Sequence, residues 1–256
     1  MYNILNTIRS ADSNKTHIFA LGQAGYIIKS KCGKLLAIDP YLSNCVETVE
    51  GNVGYKRLLP KIIEPHELDL NILICTHFHR DHYDIESVPT LMQNKNIKMY
   101  CSYDCQQDVL DEKIDLNKVV FVKPNDTAEQ CGFKLHFINC DHYPGAPKAI
   151  GVIVEVDGKR IVEVGDTCLR LDRVDEILAF GPIDVLIAPI NGAYGNMNEA
   201  ECAKLADSIK PKLTIPCHYG MFASHGGNPG LFHQTMQQKY PANKYLLMAQ
   251  GEQFSF

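Results

Sequence analysis

A chain of 256 residues has room for one large domain or two small ones, and its 45% hydrophobic and 21% charged residues suit an ordinary folded globular protein. A net charge of −5, with no basic stripe, argues against nucleic acid as a partner. Met1 to Ala20 lacks the apolar core of a signal peptide and no run is long enough to cross a membrane, so a cytoplasmic location is expected, with the ten cysteines reduced.

No low-complexity stretch or long linker divides the chain, so residues 1–256 read as a single domain. Thr16 to Leu21, Tyr26 to Ser30 and Leu35 to Ile38 are short β-rich runs, separated by Gly22-Gln23-Ala24-Gly25 and Lys31-Cys32-Gly33-Lys34. Residues 41–65 lack periodicity and are long for a loop, which suggests a flap over a site. Ile72-Leu73-Ile74-Cys75 reads as a buried strand.

That strand runs into Thr-His-Phe-His-Arg-Asp-His-Tyr-Asp, Thr76 to Asp84, in which six consecutive residues hold four metal-capable side chains: His77, His79, Asp81 and His82. On an extended strand end, residues two apart point the same way, so His77 and His79 can grip one ion together. Asp81 and His82 follow the turn and can face a second ion. Arg80 within this run reads as solvated.

Ile85 to Gln93 then reads as a helix, Lys98 to Cys101 as a strand, and Tyr103 to Leu110 as a helix. Val119 to Val122, Lys134 to Asn139 and Gly151 to Val156 read as strands, and Asp157-Gly158 predicts a hairpin into Arg160 to Val164. Leu171 to Phe180 is helical and Val185 to Pro189 an apolar strand. Asn198 to Ile209 is a helix with acidic residues at its positive end; Lys212 to Pro216 is a strand, Pro229 to Lys239 a helix and Lys244 to Met248 a last strand. Hairpins plus strand–helix alternation in both halves suit two β-sheets packed face to face with helices outside.

Three further candidates stand where strands end: His142 in Asp141-His142, Asp166 in Gly165-Asp166-Thr167, and His218 after Pro216-Cys217. With the first run they make five His and two Asp, the composition of a two-metal site, and neutral imidazoles with carboxylates suit zinc, manganese or iron. Cys75, Cys140, Cys168 and Cys217 sit beside these positions and read as small buried hydrophobes packing under a site.

The order His-x-His-x-Asp-His, then His142, then Asp166 in Gly-Asp-Thr, then His218 resembles the metallo-β-lactamase superfamily, from about residue 17 to the C-terminus. Leu21-Gly22-Gln23-Ala24-Gly25, the stretch from Leu91 to Asp141 and Ile215-Pro216-Cys217-His218 are similar to its L-ascorbate-6-phosphate lactonase branch. The resemblance implies a four-layer αββα sandwich and one or two divalent ions, zinc or manganese first and iron next. It implies that His77, His79 and His142 hold one ion, that Asp81, His82 and His218 hold the other, and that Asp166 bridges them.

The expected chemistry is attack by a metal-activated hydroxide on a small anionic substrate, a sugar-phosphate lactone among the candidates, with Asp81, His82 and Asp166 as the catalytic set and Asp81 moving the proton. Asn191, Tyr194 and His225 are the candidate substrate contacts, with Asn196 beside the first two at the expected mouth of the site. His225 opens His225-Gly226-Gly227-Asn228-Pro229-Gly230, whose backbone N–H groups could meet an anion before a helix. Tyr143 and Lys148 are weaker candidates. A phosphodiesterase or nuclease of the same superfamily is the rival, opposed by the acidic charge and by the lack of an RNA-binding appendage. A redox protein on this scaffold and a non-catalytic metal-binding protein are further readings. The residues leave the oligomeric state open, a homo-oligomer included.

Overall fold

The computed structural model describes residues 3–256. Two mixed sheets form its centre. The first takes β1 (His17–Gly22), β2 (Gly25–Lys29), β3 (Leu35–Ile38), β4 (Ile72–Cys75), β5 (Lys98–Ser102), β6 (Val119–Val122) and the C-terminal β13 (Gln253–Ser255), in the order β13-β1-β2-β3-β4-β5-β6. The second takes β7 (Thr127–Gln130), β8 (Phe133–Asn139), β9 (Ile150–Val156), β10 (Lys159–Glu163), β11 (Val185–Pro189) and β12 (Leu213–Cys217), in the order β12-β11-β10-β9-β8-β7.

Period-two alternation explains the layers. Ile18, Ile28, Leu36, Ile38, Ile72 and Ile74 of the first sheet pack against Phe133, Leu135, Phe137, Val152, Val154 and Ile187 of the second. The intervening residues point outward. Phe19, Ile27, Ala37, Leu73 and Met99 meet Ile8 of α1 (Leu5–Ser10), Val88 and Leu91 of α3 (Val88–Leu91), and Val109 of α4 (Gln106–Asp111). Val162, Leu186 and Ala188 meet Val174 and Ile177 of α5 (Val174–Leu178), Ala203 and Ala206 of α6 (Glu199–Ile209), and Phe232 and Met236 of α7 (Pro229–Lys239). The result is the expected αββα sandwich. Capping is visible at the longer helices: Asn198 accepts from Ala200 and Glu201 N–H, and Glu201 returns to Asn198 N–H.

The structure departs from expectation at several elements. The helix expected over residues 85–93 contracts to Val88–Leu91, because the Asp84 carboxylate holds Glu86 and Ser87 N–H in a turn beforehand and Pro89 lies in the first helical turn. Residues 244–248 do not form a strand; they meet β12 through a single bridge, Thr214 to Tyr245. The last strand is Gln253–Ser255, which pairs antiparallel with β1. β7, with the polar sequence Thr-Ala-Glu-Gln and half-exposed, gives no apolar pattern to read.

Residues 41–65 fold into α2 (Cys45–Glu50) and a 3-10 turn over Val53–Tyr55. They are tied down by Arg57, which donates to the carbonyls of Tyr41, Ser43 and Leu59, and by Asp84, which accepts from Leu42 and Ser43 N–H.

Candidate metal centre

Each strand that carries a candidate ligand ends at the same place. β4 leads to His77 and His79, and the chain then turns, with His82 and Tyr83 N–H both donating to the His79 carbonyl. That turn brings Asp81 and His82 back under the strand end. His142 follows β8, Asp166 follows β10 and His218 follows β12.

Seven donor side chains converge there. His79 Nδ1 lies 3.0 Å from His77 Nε2 and 3.2 Å from His142 Nε2. Beside this trio, His218 Nε2 lies 3.2 Å from Asp81 Oδ2, 3.2 Å from Asp166 Oδ2 and 3.3 Å from His82 Nε2. His82 Nε2 is 3.4 Å from Asp166 Oδ2 and 3.6 Å from Asp81 Oδ2. Ligands about 2.0–2.1 Å from a tetrahedral ion stand about 3.3 Å apart, so both clusters have the spacing a divalent ion requires. Donor atoms of His77, His82 and Asp166 also lie within 4.8 Å of one another, which puts Asp166 between the two clusters.

The charge state of each cluster follows from its neighbours. Burial pushes His77 well below the ordinary imidazole range, lowers His79, and brings His142 down to about 4, so these rings are neutral and have lone pairs to give. In the second cluster burial again opposes charge on the rings. The Asp166 and Asp81 carboxylates together overcome it, holding His82 well above its ordinary value and His218 up to about 9. The same rings hold Asp81 and Asp166 well below the usual carboxylate range despite their burial. Protons on His82 and His218 thus balance two buried carboxylates as a cation would.

A supporting layer fixes the donors. Asp39 Oδ2 faces His82 Nδ1 at 2.7 Å and accepts Thr76 Oγ1 at 2.6 Å, while its Oδ1 accepts Thr76 N–H at 2.8 Å. A proton held on His82 Nδ1 leaves Nε2 free as a ligand. Asn196 Nδ2 donates to Asp166 Oδ2 at 2.7 Å, and Cys140 Sγ donates to the Asp166 carbonyl at 2.9 Å. Gln23 Nε2 donates to Asp81 Oδ2 at 2.8 Å, and the Gln23 carbonyl accepts His218 N–H at 2.9 Å. Gln23 and His218 both have left-handed backbone, φ 54° and 63°, a conformation that non-glycine residues adopt rarely outside constrained sites.

A cavity of about 310 Å3 opens over these atoms, with His79, Asp81, His142, Asp166 and His218 at its floor. A family model described as the beta-lactamase superfamily domain matches residues 17–218, which include all seven donors. The chain belongs to the metallo-β-lactamase superfamily. Within that superfamily it is similar to the UPF0173 metal-dependent hydrolase of Thermococcus kodakarensis, 27% identical over 86% of this chain and 91% of the relative. It is similarly related to that of Pyrococcus abyssi, 27% identical over 91% of this chain and 96% of the relative. The solved structure of Igni18, a metallo hydrolase from Ignicoccus hospitalis, shares the fold with a TM-score of 0.72 at 20% identity, covering 94% of this chain and 98% of that one.

Within this superfamily fold the other sequence-based expectations fare unevenly. His225 reaches the cavity: its Nε2 is 3.7 Å from Asp81 Oδ2, and its ring packs against Tyr55, Tyr194 and Phe222. Tyr194 also lines the cavity, its hydroxyl 3.2 Å from that of Tyr55. Asn191 is not among the residues lining it. Its side chain donates to the Ala193 carbonyl, and its own carbonyl lies against Gly226, where a Cβ would approach within 2.8 Å. The helix start after Gly227 is taken up by protein groups: the Asn228 side chain caps Leu231 N–H and Glu199 accepts Asn228 N–H. Arg80 is not simply solvated; it pairs with Asp108 at 2.8 Å. Tyr143 is 80% exposed and does not line the cavity.

Of the four nearby cysteines, Cys140 and Cys217 pack beneath the donors. Cys75 is buried on the helix side of its sheet, and Cys168 is exposed rather than buried. Asp39 and Gln23 were given no role from sequence, and Asn196, expected at the mouth of the site, does not line the cavity but holds Asp166 from behind. Asp39 had a readable signal, an acidic residue directly after the apolar strand Leu35–Ile38.

Proposed function

We propose that this protein hydrolyses a small carboxylic ester or lactone with the help of divalent ions. His77, His79 and His142 would hold one, and Asp81, His82 and His218 the other, with Asp166 shared. Zinc or manganese suits this imidazole–carboxylate set, with iron next. When bound, such ions lower the pKa of water and offset negative charge that develops on the attacked oxygen.

The observation that carries the reading is the four-atom cage of Asp81 Oδ2, His82 Nε2, His218 Nε2 and Asp166 Oδ2, with contacts of 3.2–3.6 Å, at the floor of an open cavity. Asp39 keeps the His82 tautomer suited to metal binding, and Asn196 orients Asp166. A role for Asp81 in moving the proton to the leaving group is supported by its position on the cavity floor, with His225 as its neighbour. Sugar-phosphate lactones and phosphodiesters both bring a phosphate. Among the described residues, the one Arg or Lys that lines the cavity, Arg80, is already paired with Asp108, so a carbonyl substrate without phosphate suits the walls better.

All ten cysteines are free, which suits a cytoplasmic location, and no described helix is long and apolar enough to cross a membrane. The test is turnover by the zinc- or manganese-loaded protein on panels of esters, lactones and phosphodiesters. Ester or lactone turnover that Asp81→Asn lowers by at least a hundredfold is expected. A fully metallated protein that cleaves no member of any panel would point instead to a non-catalytic metal-binding role.

A further inference from the structure

The cavity has two unlike halves. Its floor is the polar donor set. Its walls are Val46 and Val49 of α2, Tyr55, Phe78 and Tyr194, with Glu50 at the rim. Among the described residues, the one Arg or Lys along these walls is already paired. Arg80 is held by Asp108 Oδ1 at 2.8 Å and by the Phe78 carbonyl at 3.3 Å. The hydroxyls of Tyr55 and Tyr194 face each other at 3.2 Å. Glu50 adds an exposed carboxylate. An anionic substituent lying along these walls would exchange water for apolar side chains and a like charge, with no partner in return. An apolar substituent there loses only water.

We infer that the substrate is an uncharged ester or lactone whose acyl or aryl substituent is apolar and packs between Val46, Val49, Phe78 and Tyr194. The inference rests on the hydrolase reading above and narrows its substrate class. It also explains why α2 stands over the centre: this helix supplies the two valines, and Val49 is 51% exposed because it forms part of the opening.

Linear alkyl hydroxamates test the walls without requiring turnover, since the head group binds divalent ions and the tail samples the cavity. Their dissociation constants on the zinc-loaded protein, measured by calorimetry, should tighten about fourfold per methylene until about 310 Å3 is filled. A terminal carboxylate on the same tail should cancel most of that gain. Val49→Asp should weaken the longer hydroxamates by more than tenfold and acetohydroxamate far less, and Glu50→Lys should recover part of the affinity for the carboxylate-ended tail. Affinity independent of chain length, or tighter binding of the carboxylate-ended ligand to the unaltered protein, would overturn the inference and leave the hydrolase reading standing. Chain-length dependence without turnover of any ester or lactone would sink the hydrolase reading, and with it the ester or lactone assignment, while leaving the walls as a site for an apolar group.

Discussion

Asp39→Asn is a small change with a large expected effect. Asp39 Oδ2 has two neighbours, His82 Nδ1 at 2.7 Å and Thr76 Oγ1 at 2.6 Å, and Oδ1 accepts Thr76 N–H. With the Thr76 contact to Oδ1 kept, the new amide presents N–H to His82 Nδ1. The imidazole must then accept at Nδ1 and carry its proton on Nε2, the atom 3.3–3.6 Å from His218, Asp81 and Asp166. A proton there occupies the lone pair a metal needs. Loss of an outer partner of a metal-binding histidine weakens metal by about 10–100-fold, or about 1.4–2.7 kcal/mol. Here the upper end is expected, because Asp39 and His82 are fully buried and water cannot replace the lost acceptor. Chelator competition measures the affinity, and the visible spectrum of the cobalt-substituted protein reports the ligand field of the second cluster. An Asp39→Asn protein with unchanged affinity and spectrum would refute the argument that Asp39 sets the His82 tautomer.

Other changes have equally definite outcomes. With His82 held well above its ordinary value and His218 raised to about 9 in the ion-free protein, metal binding must displace both protons, so zinc affinity should rise between about tenfold and about a hundredfold per pH unit from pH 7 to 9; a pH-independent constant contradicts this. Glu163 is buried between the sheets, and burial raises its carboxyl well above its ordinary value. An acid that must stay protonated in the fold costs more stability as pH rises past its unfolded value, so Glu163→Gln should raise the melting temperature more at pH 8 than at pH 5, and an equal gain at both would count against it. Arg57→Ala removes three bonds to the Tyr41, Ser43 and Leu59 carbonyls, and limited proteolysis should then cut within residues 41–65 at least several-fold faster, with cutting at the unaltered rate as the contrary result.

The features readable in advance share a physical basis. Ile72–Cys75, Val185–Pro189 and the other core strands carry unbroken or alternating apolar runs, and the seven donors are polar residues of metal-binding type set where such runs stop. Sequence also marked residues 41–65 as unusual, although not that α2 would line the cavity. What escaped depends on partners distant along the chain. Arg80 meets Asp108, 28 residues away, and β13 pairs with β1 across the whole chain, although Gln-Phe-Ser alone is too short to read as a strand. Asn191 drew attention as a polar residue beside glycine, but its side chain turns to the Ala193 carbonyl, and it is Gly226, lacking a Cβ, that lets the Asn191 backbone carbonyl come close. Gln23 gave no sign of its role, since its amide matters only once Asp81 and His218 are brought beside it.

The most direct test is a metal titration of chelator-stripped protein with ester or lactone turnover as the readout, beside the Asp166→Ala variant. The account predicts no turnover without metal, recovery that saturates at one or two equivalents of zinc or manganese, and an Asp166→Ala protein that neither retains the ions nor turns over. Full turnover by the stripped protein, or an Asp166→Ala protein that keeps both its metal and its rate, would contradict it.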